Sequence, residues 1–202
     1  MTARRQLKIP RVLLVYCEGK TEEAYFNILF DFYRPPAFVE VEVYGQKGQH
    51  VALINNTIVK RNELCNEMGY TEHEIECWAV CDEDKMPYTY TELLKYADDH
   101  DVHLAFSAPQ FEMYLLQHFE QSGDTDKNVV FQKLSAHRRK HGSEGDYDDD
   151  TKADLAWMND AIDQKPKIVK TAIINSEIRN HTTKRPFLTV QELVKRIMEL
   201  SL

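Results

Sequence analysis

Glycine and proline are scarce, at seven each in 202 residues, so collagen-like and low-complexity Pro/Gly-rich readings fail. Cysteine is scarcer still: four, scattered along the chain, which reads as a reduced, cytoplasmic protein rather than a disulfide scaffold. No apolar run approaches the ~20 residues that a membrane-spanning helix needs. The basic start, MTARRQLKIPR, is followed only by VLLVYC, which is too short for a signal-peptide core and lacks a small-residue cleavage site. Positive charge is also short, with 25 Lys and Arg against 33 Asp and Glu and a net charge of −8. That balance argues against a general nucleic-acid coat protein, because phosphate binding needs Lys and Arg. A Walker A sequence is missing too, so any ATP-driven step would require a partner.

What remains is an ordinary soluble composition, 43% hydrophobic and 29% charged, long enough to bury a core without staples. Basic residues gather in two stretches. One holds Lys133, His137, Arg138, Arg139, Lys140 and His141; the other runs from Lys165 to Arg185. Local basic surfaces therefore survive the acidic total.

The first half alternates strand and helix signals. Val12–Tyr16 (VLLVY) is a continuous β-rich run, expected as a buried strand. Thr21 is placed to cap the next helix, with Glu22 and Glu23 in its first turn, and Pro35-Pro36 end it. Phe38–Tyr44 alternates apolar and acidic residues, the pattern of a half-buried strand near an edge. Helices are expected at about His50 to Met68 and Tyr90 to Asp98, and strands at Glu76–Val80 and Val102–Phe106. A strongly apolar helix is expected from Phe111 to Phe119. This order predicts an α/β domain with a largely parallel central sheet flanked by helices. Beyond Phe119 the strand signals vanish and helical patterns take over, at Val129–Arg139, Ala153–Ile162, Ile168–Glu177 and Val190–Leu200. Residues 1–119 are thus read as the α/β core and 120–202 as a C-terminal helical segment packed on it. Within that segment, Gly142–Asp150 (GSEGDYDDD) reads as an acidic linker or mobile loop.

In a parallel α/β sheet, chemistry gathers beyond the carboxyl ends of the strands. Two strands here end in acid: the first at Glu18, the third at Asp82-Glu83-Asp84. Alternation at the strand exit places Asp82 and Asp84 on one side and Glu83 opposite. Clustered hard oxygen ligands suit Mg²⁺ or Mn²⁺, with water and a substrate phosphate completing the shell. A DxD by itself is equally an ordinary solvated turn; its position directly after an apolar strand is what singles it out.

The joint pattern resembles the Toprim domain of primases, topoisomerases and OLD-family nucleases. The closer resemblance is to the RloB-like proteins, a Toprim-related family associated with bacterial defence against phage. The residues that carry it are VYCEGKTEEAYF (Val15–Phe26), VCDEDK (Val80–Lys85), FSAPQFEMYLLQHF (Phe106–Phe119) and TVQELVKRI (Thr189–Ile197). Two departures stand out: the first motif is one residue shorter than the usual Glu-Gly-x-Lys-Thr-Glu form, and Glu83 stands where a basic residue is expected. The resemblance implies a Toprim-like fold and a Mg²⁺- or Mn²⁺-dependent nuclease acting on DNA or RNA. Asp82 and Asp84 would hold the metal, and Glu18 would share it or act as general base. Lys20 and Lys85 would contact phosphate. It also implies an ATPase or other defence-system protein acting in trans, and leaves a homo-oligomer open.

Glu112 adds a carboxylate near the same sheet edge. It is read either as a favourable helix N-terminal charge or as an extra carboxylate for metal or water. Arg138, Arg139 and Lys140 are candidates for a nucleic-acid path, against a plain solvated face. His118 is expected to be a buried, hydrogen-bonded histidine, and Cys77 and Cys81 small core hydrophobes rather than zinc ligands. Two further readings stay open. One keeps the fold without catalysis, as a nucleic-acid-binding or regulatory subunit of a defence complex. The other is a hydrolase of small nucleotides.

Overall fold

Each strand that the sequence marks as a continuous apolar run is buried on both faces. In the computed structural model, which describes residues 9–201, β1 is Val12–Cys17, β3 Ile75–Asp82 and β4 His103–Ala108. The basic stretch at residues 1–8 lies outside the described residues. β2 (Glu40–Tyr44) carries the alternating pattern and takes an edge, where one face meets solvent. The order is β2-β1-β3-β4-β5, with all pairs parallel except the last. The α/β class with a largely parallel sheet is thus as expected.

Helices α1 (Lys20–Tyr33), α2 (His50–Met68) and α3 (Tyr90–Asp98) connect these strands. The parallel strands sort their side chains by alternation. Leu13, Val15, Cys17, Trp78 and Val80 face one core, which they share with α1 and the C-terminal helices. Val12, Leu14, Tyr16, Cys77, Ala79 and Cys81 face the other, under α2 and α3. Cys77 and Cys81 are buried free thiols there, as expected of small hydrophobes.

After β4 come α4 (Glu112–Leu116), α5 (Lys127–Lys140), α6 (Ala156–Gln164), α7 (Lys167–Glu177) and α8 (Val190–Leu200). The first core runs from Leu13 through Leu116 and Val130 to Leu200 without a break at residue 119. Among the described residues, no helix is long and apolar enough to cross a membrane.

Four local expectations are corrected. α1 begins at Lys20 with Gly19 at its cap, so Thr21 lies inside the first turn and is buried. The helix after β4 is five residues long, because the chain turns repeatedly between Gln117 and Glu120, and Gln117 and His118 are buried there along with the apolar residues. A strand does follow residue 119: β5 (Phe187–Leu188) pairs antiparallel with Ser107 and Ala108. Two residues are too short to show a period of two. Tertiary contacts hold them instead, with Thr189 N–H donating to the Phe106 carbonyl at 2.8 Å and Phe106 N–H to Thr189 Oγ1 at 2.9 Å. The Gly142–Asp150 segment is no free linker, for the reasons that its contacts with the site make plain below.

Candidate functional site

β1 and β3 are hydrogen-bonded neighbours whose chains leave the sheet together. Glu18 N–H donates to the Val80 carbonyl at 3.0 Å, which brings Glu18 beside the end of β3 at Asp82. The chain leaves β1 toward β2 on one side while β3 lies on the other. The crevice between them is the switch point where open α/β sheets bind ligands. Two further carboxylates arrive from helices: Glu22 from the first turn of α1 and Glu112 as the first residue of α4. Both are buried, at 5% and 3% exposure.

These groups open into a cavity of about 620 Å³. Seven carboxylates line it: Glu18, Glu22, Asp82, Asp84, Glu112, Asp149 and Asp150. Only three lysines do, Lys20, Lys127 and Lys152. Negative charge in a partly desolvated space raises carboxyl pKa values, and four of these groups, Glu18, Glu22, Asp82 and Glu112, are raised. Burial, then the charges of Glu112 and Glu18, push Glu22 up to about 7, against an ordinary 4.5. Burial and the charges of Glu22, Glu112 and Glu18 push Asp82 well above the usual range. Glu18 is raised by burial, with His50, the Asp82 backbone N–H and the Gln49 side chain pulling it back. Glu112 is raised by burial and eased by Lys152, whose Nζ lies 3.8 Å from its Oε1.

Glu18 Oε2 and Asp82 Oδ1 are buried without a hydrogen-bond partner. Native proteins rarely leave buried carboxylate oxygens in that condition. The donor set is all oxygen, which suits a hard divalent cation. Among the described residues, no three His, Cys, Asp or Glu side chains form a ready-made metal cage. The fit is therefore to Mg²⁺ or Mn²⁺ held by one or two carboxylates and completed by water and substrate oxygens, as is common for Mg²⁺.

Asp84 reaches the cavity by a route other than the expected strand alternation. β3 ends at Asp82, and the turn that follows puts Asp84 at φ 26°, exposed at the rim. Glu83 still points the other way, where Arg185 grips it from a loop 102 residues on, with Nε donating to its Oε2 at 3.1 Å. An acidic residue in that position thus serves a fold contact.

His50, at the start of α2, supports the site from below, its Nε2 3.0 Å from the Asp82 carbonyl. Gly19 leaves room for the Glu22 carboxylate. A Cβ there would stand 2.6 Å from Glu22 Oε2. Gly19→Ala is expected to displace the Glu22 carboxylate and cost about 1–2 kcal/mol of stability, as overpacking does, measured by urea unfolding. An unchanged midpoint would mean that Glu22 has room to spare.

Residues 142–154 form a strap across the cavity. Tyr147 is buried against Phe131 and Trp157, and its N–H donates to Ser135 Oγ at 2.8 Å. Lys127 pairs with Asp149 at 2.6 Å across the cavity wall. This packing makes the acidic stretch part of the site.

The other candidates divide. Lys20 lines the cavity; Lys85 is exposed and does not. Arg138 is corrected outright: it is buried, and its Nη2 holds Asp154 at 2.9 Å, so it anchors the strap and offers nothing to a nucleic-acid strand. Arg139 pairs with Asp146 in the open, and Lys140 is exposed. His118 is a buried core residue, its Nε2 2.9 Å from Tyr25 Oη, as expected.

Sequence reasoning assigned Glu22 only to the helix dipole. Its spacing from Glu18, one helical turn past the strand end, was the available signal. Nothing local marked Lys127, Asp149 or Lys152, which come from outside the βα region.

A protein-family model described as RloB-like protein matches residues 13–197. No curated protein and no solved structure matches the chain. The match spans β1 through α8 and so includes both strand-end acids, Glu112 and the strap. This chain belongs to the RloB-like protein family.

Proposed function

We propose that this protein is a divalent-metal-dependent nuclease of the Toprim-related type, acting in bacterial antiphage defence. One observation carries the reading: buried, unpartnered carboxylate oxygens of Glu18 and Asp82 stand side by side at the switch point of a parallel sheet. Glu18 and Asp82 would hold Mg²⁺ or Mn²⁺, with Asp84 at the rim. Bound there, the ion would supply the positive charge that neutralises a phosphodiester and prepares it for attack.

The chain's own groups do the rest. Lys20, Lys127 and Lys152 are the cavity's cations and would orient phosphate oxygens by charge-assisted hydrogen bonds. Glu22 and Glu112 are buried beside the reacting space, positioned to take a proton from water or return one to the leaving oxygen. The strap, anchored by Tyr147 and Arg138, limits water and raises the strength of each charge interaction inside. DNA or RNA is the substrate class, and an ATPase acting in trans would supply any ATP-driven step.

A second reading, a nucleic-acid-binding or regulatory subunit without catalysis, draws on the acidic balance of the chain, −8 overall. Incubation with DNA, total tRNA and mRNA, with Mg²⁺ or Mn²⁺, separates the two. Wild type is expected to cleave at least one class, and Asp82→Ala to be reduced about 100-fold or more. Equal activity in both would mark a contaminant and remove the nuclease reading.

A further inference from the structure

A second cavity, of about 170 Å³, shares no lining residue with the first. The last turn of α5 brings His137, Lys140 and His141 to it, and Lys165 joins from the chain just before α7. Phe119 forms another wall. Its ring stacks on His137, with centroids 4.1 Å apart and 16° between planes, and lies 5.8 Å from Trp157.

No Asp or Glu lines this space, in a chain with 33 of them. The other cations of α5 are matched: Lys127 pairs with Asp149, Lys133 with Glu120 and Asp124, Arg138 with Asp154, and Arg139 with Asp146. Among the described residues, His137, Lys140, His141 and Lys165 have no such salt bridge. His141 Nδ1 is buried with no hydrogen-bond partner. Basic residues at the end of α5 complement its dipole, which accounts for three of these four side chains. The dipole does not account for Lys165, which comes from another element and converges on the same space. Nor does it account for the absence of any carboxylate from the lining.

We propose that this cavity binds a phosphate group, held by Lys140 and Lys165 with the imidazoles of His137 and His141. Lys140 and Lys165 bring two cations to a space that no carboxylate lines, and a dianion would meet both through charge-assisted hydrogen bonds, with the imidazole N–H groups of His137 and His141 as further donors. The size agrees. A volume of about 170 Å³ admits a tetrahedral oxyanion. The ligand is inorganic phosphate or the terminal phosphate of a nucleic-acid strand whose remainder lies outside. The stacked Phe119–His137 pair fixes one donor ring, so that the site is in place before the anion arrives.

The test is calorimetric titration with inorganic phosphate in EDTA, against chloride at matched ionic strength. EDTA makes the outcome independent of any metal and of the nuclease reading. Wild type is expected to bind phosphate, and the Lys140→Ala/Lys165→Ala double variant to bind at least about tenfold more weakly, since charged hydrogen bonds are lost. Both lysines are exposed, so circular dichroism should show the fold kept. A companion titration compares a 5′-phosphorylated oligonucleotide with its unphosphorylated form. Tighter binding of the phosphorylated strand, lost in the double variant, identifies a terminal phosphate as the ligand. Equal binding of both strands, with inorganic phosphate still bound, identifies the free anion. No phosphate-specific binding by wild type, or equal binding by wild type and double variant, overturns the proposal.

Discussion

Asp82→Asn is expected to lower metal-dependent cleavage by about 100- to 10,000-fold while leaving the metal-free protein as stable as wild type, or more stable by ~0.5–2 kcal/mol. The two effects share one cause. Asp82 lies among the charges of Glu22, Glu112 and Glu18, which destabilise its ionised form along with burial. One of its carboxyl oxygens has no partner in the fold. A neutral amide of the same shape removes the repulsion and still accepts the hydrogen bond from the Phe111 backbone. It also removes the charge that a divalent ion would meet. Mg²⁺ at millimolar concentration should therefore raise the wild-type melting temperature, by ~1–3 kcal/mol of stability for affinity of tens of micromolar to sub-millimolar, and should leave the variant nearly unmoved. Thermal melts of both proteins, in EDTA and in Mg²⁺, read all of this. A variant clearly destabilised in EDTA would show that the carboxylate makes structural hydrogen bonds. An equal Mg²⁺ response in both would move the metal elsewhere, with Asp146 to Asp150 the next acidic stretch to test.

The metal-free protein should lose stability as pH rises from about 4.5 to about 7. Glu22 releases its proton near 4.5 when unfolded and holds it to about 7 when folded. Between those values the folded chain carries a proton that the unfolded chain has released, so raising the pH favours unfolding. Below the window the group is protonated in both states and contributes nothing. Above it the cost is complete, at most about 3 kcal/mol for this one carboxyl. Asp82, Glu18 and Glu112 are raised as well and act with the same sign. Glu22→Gln should flatten the slope and be the more stable protein at pH 8. Divalent metal favours the ionised set, so its stabilisation should grow across the same window. Urea unfolding in EDTA from pH 4.5 to 8 measures the slope directly. A slope as steep in Glu22→Gln as in wild type would rule out this carboxyl as its source.

Periodicity and short-range chemistry made much of this protein legible from its residues. α2, α3 and α8 span the residues that their patterns mark. Their signal, apolar spacing, is complete within a few residues. The same holds for β1, whose unbroken apolar run can only be buried on both faces, and for the acids that directly follow β1 and β3. The motifs that carry the RloB-like resemblance are local in the same sense.

Tertiary structure decided everything that depends on partners far along the chain. β5 exists because Phe187 and Leu188 meet β4, and no two-residue segment declares itself. Arg138 is a strap anchor and not a surface cation, because Asp154 and a buried helix face claim it. Glu83 faces Arg185 over a separation of 102 residues. The acidic loop at 142–150 became a wall of the cavity once Tyr147 had a core to enter and Asp149 a lysine to meet. Most of all, Glu22 is set apart from a solvated helix-end acid by burial and by the charges of Glu112 and Glu18 beside it. Charge type is a property of a residue, whereas desolvation and the distance to the next charge belong to the folded chain. The sequence by itself therefore determined which acids end the strands, and only the fold decided which of the others share their cavity.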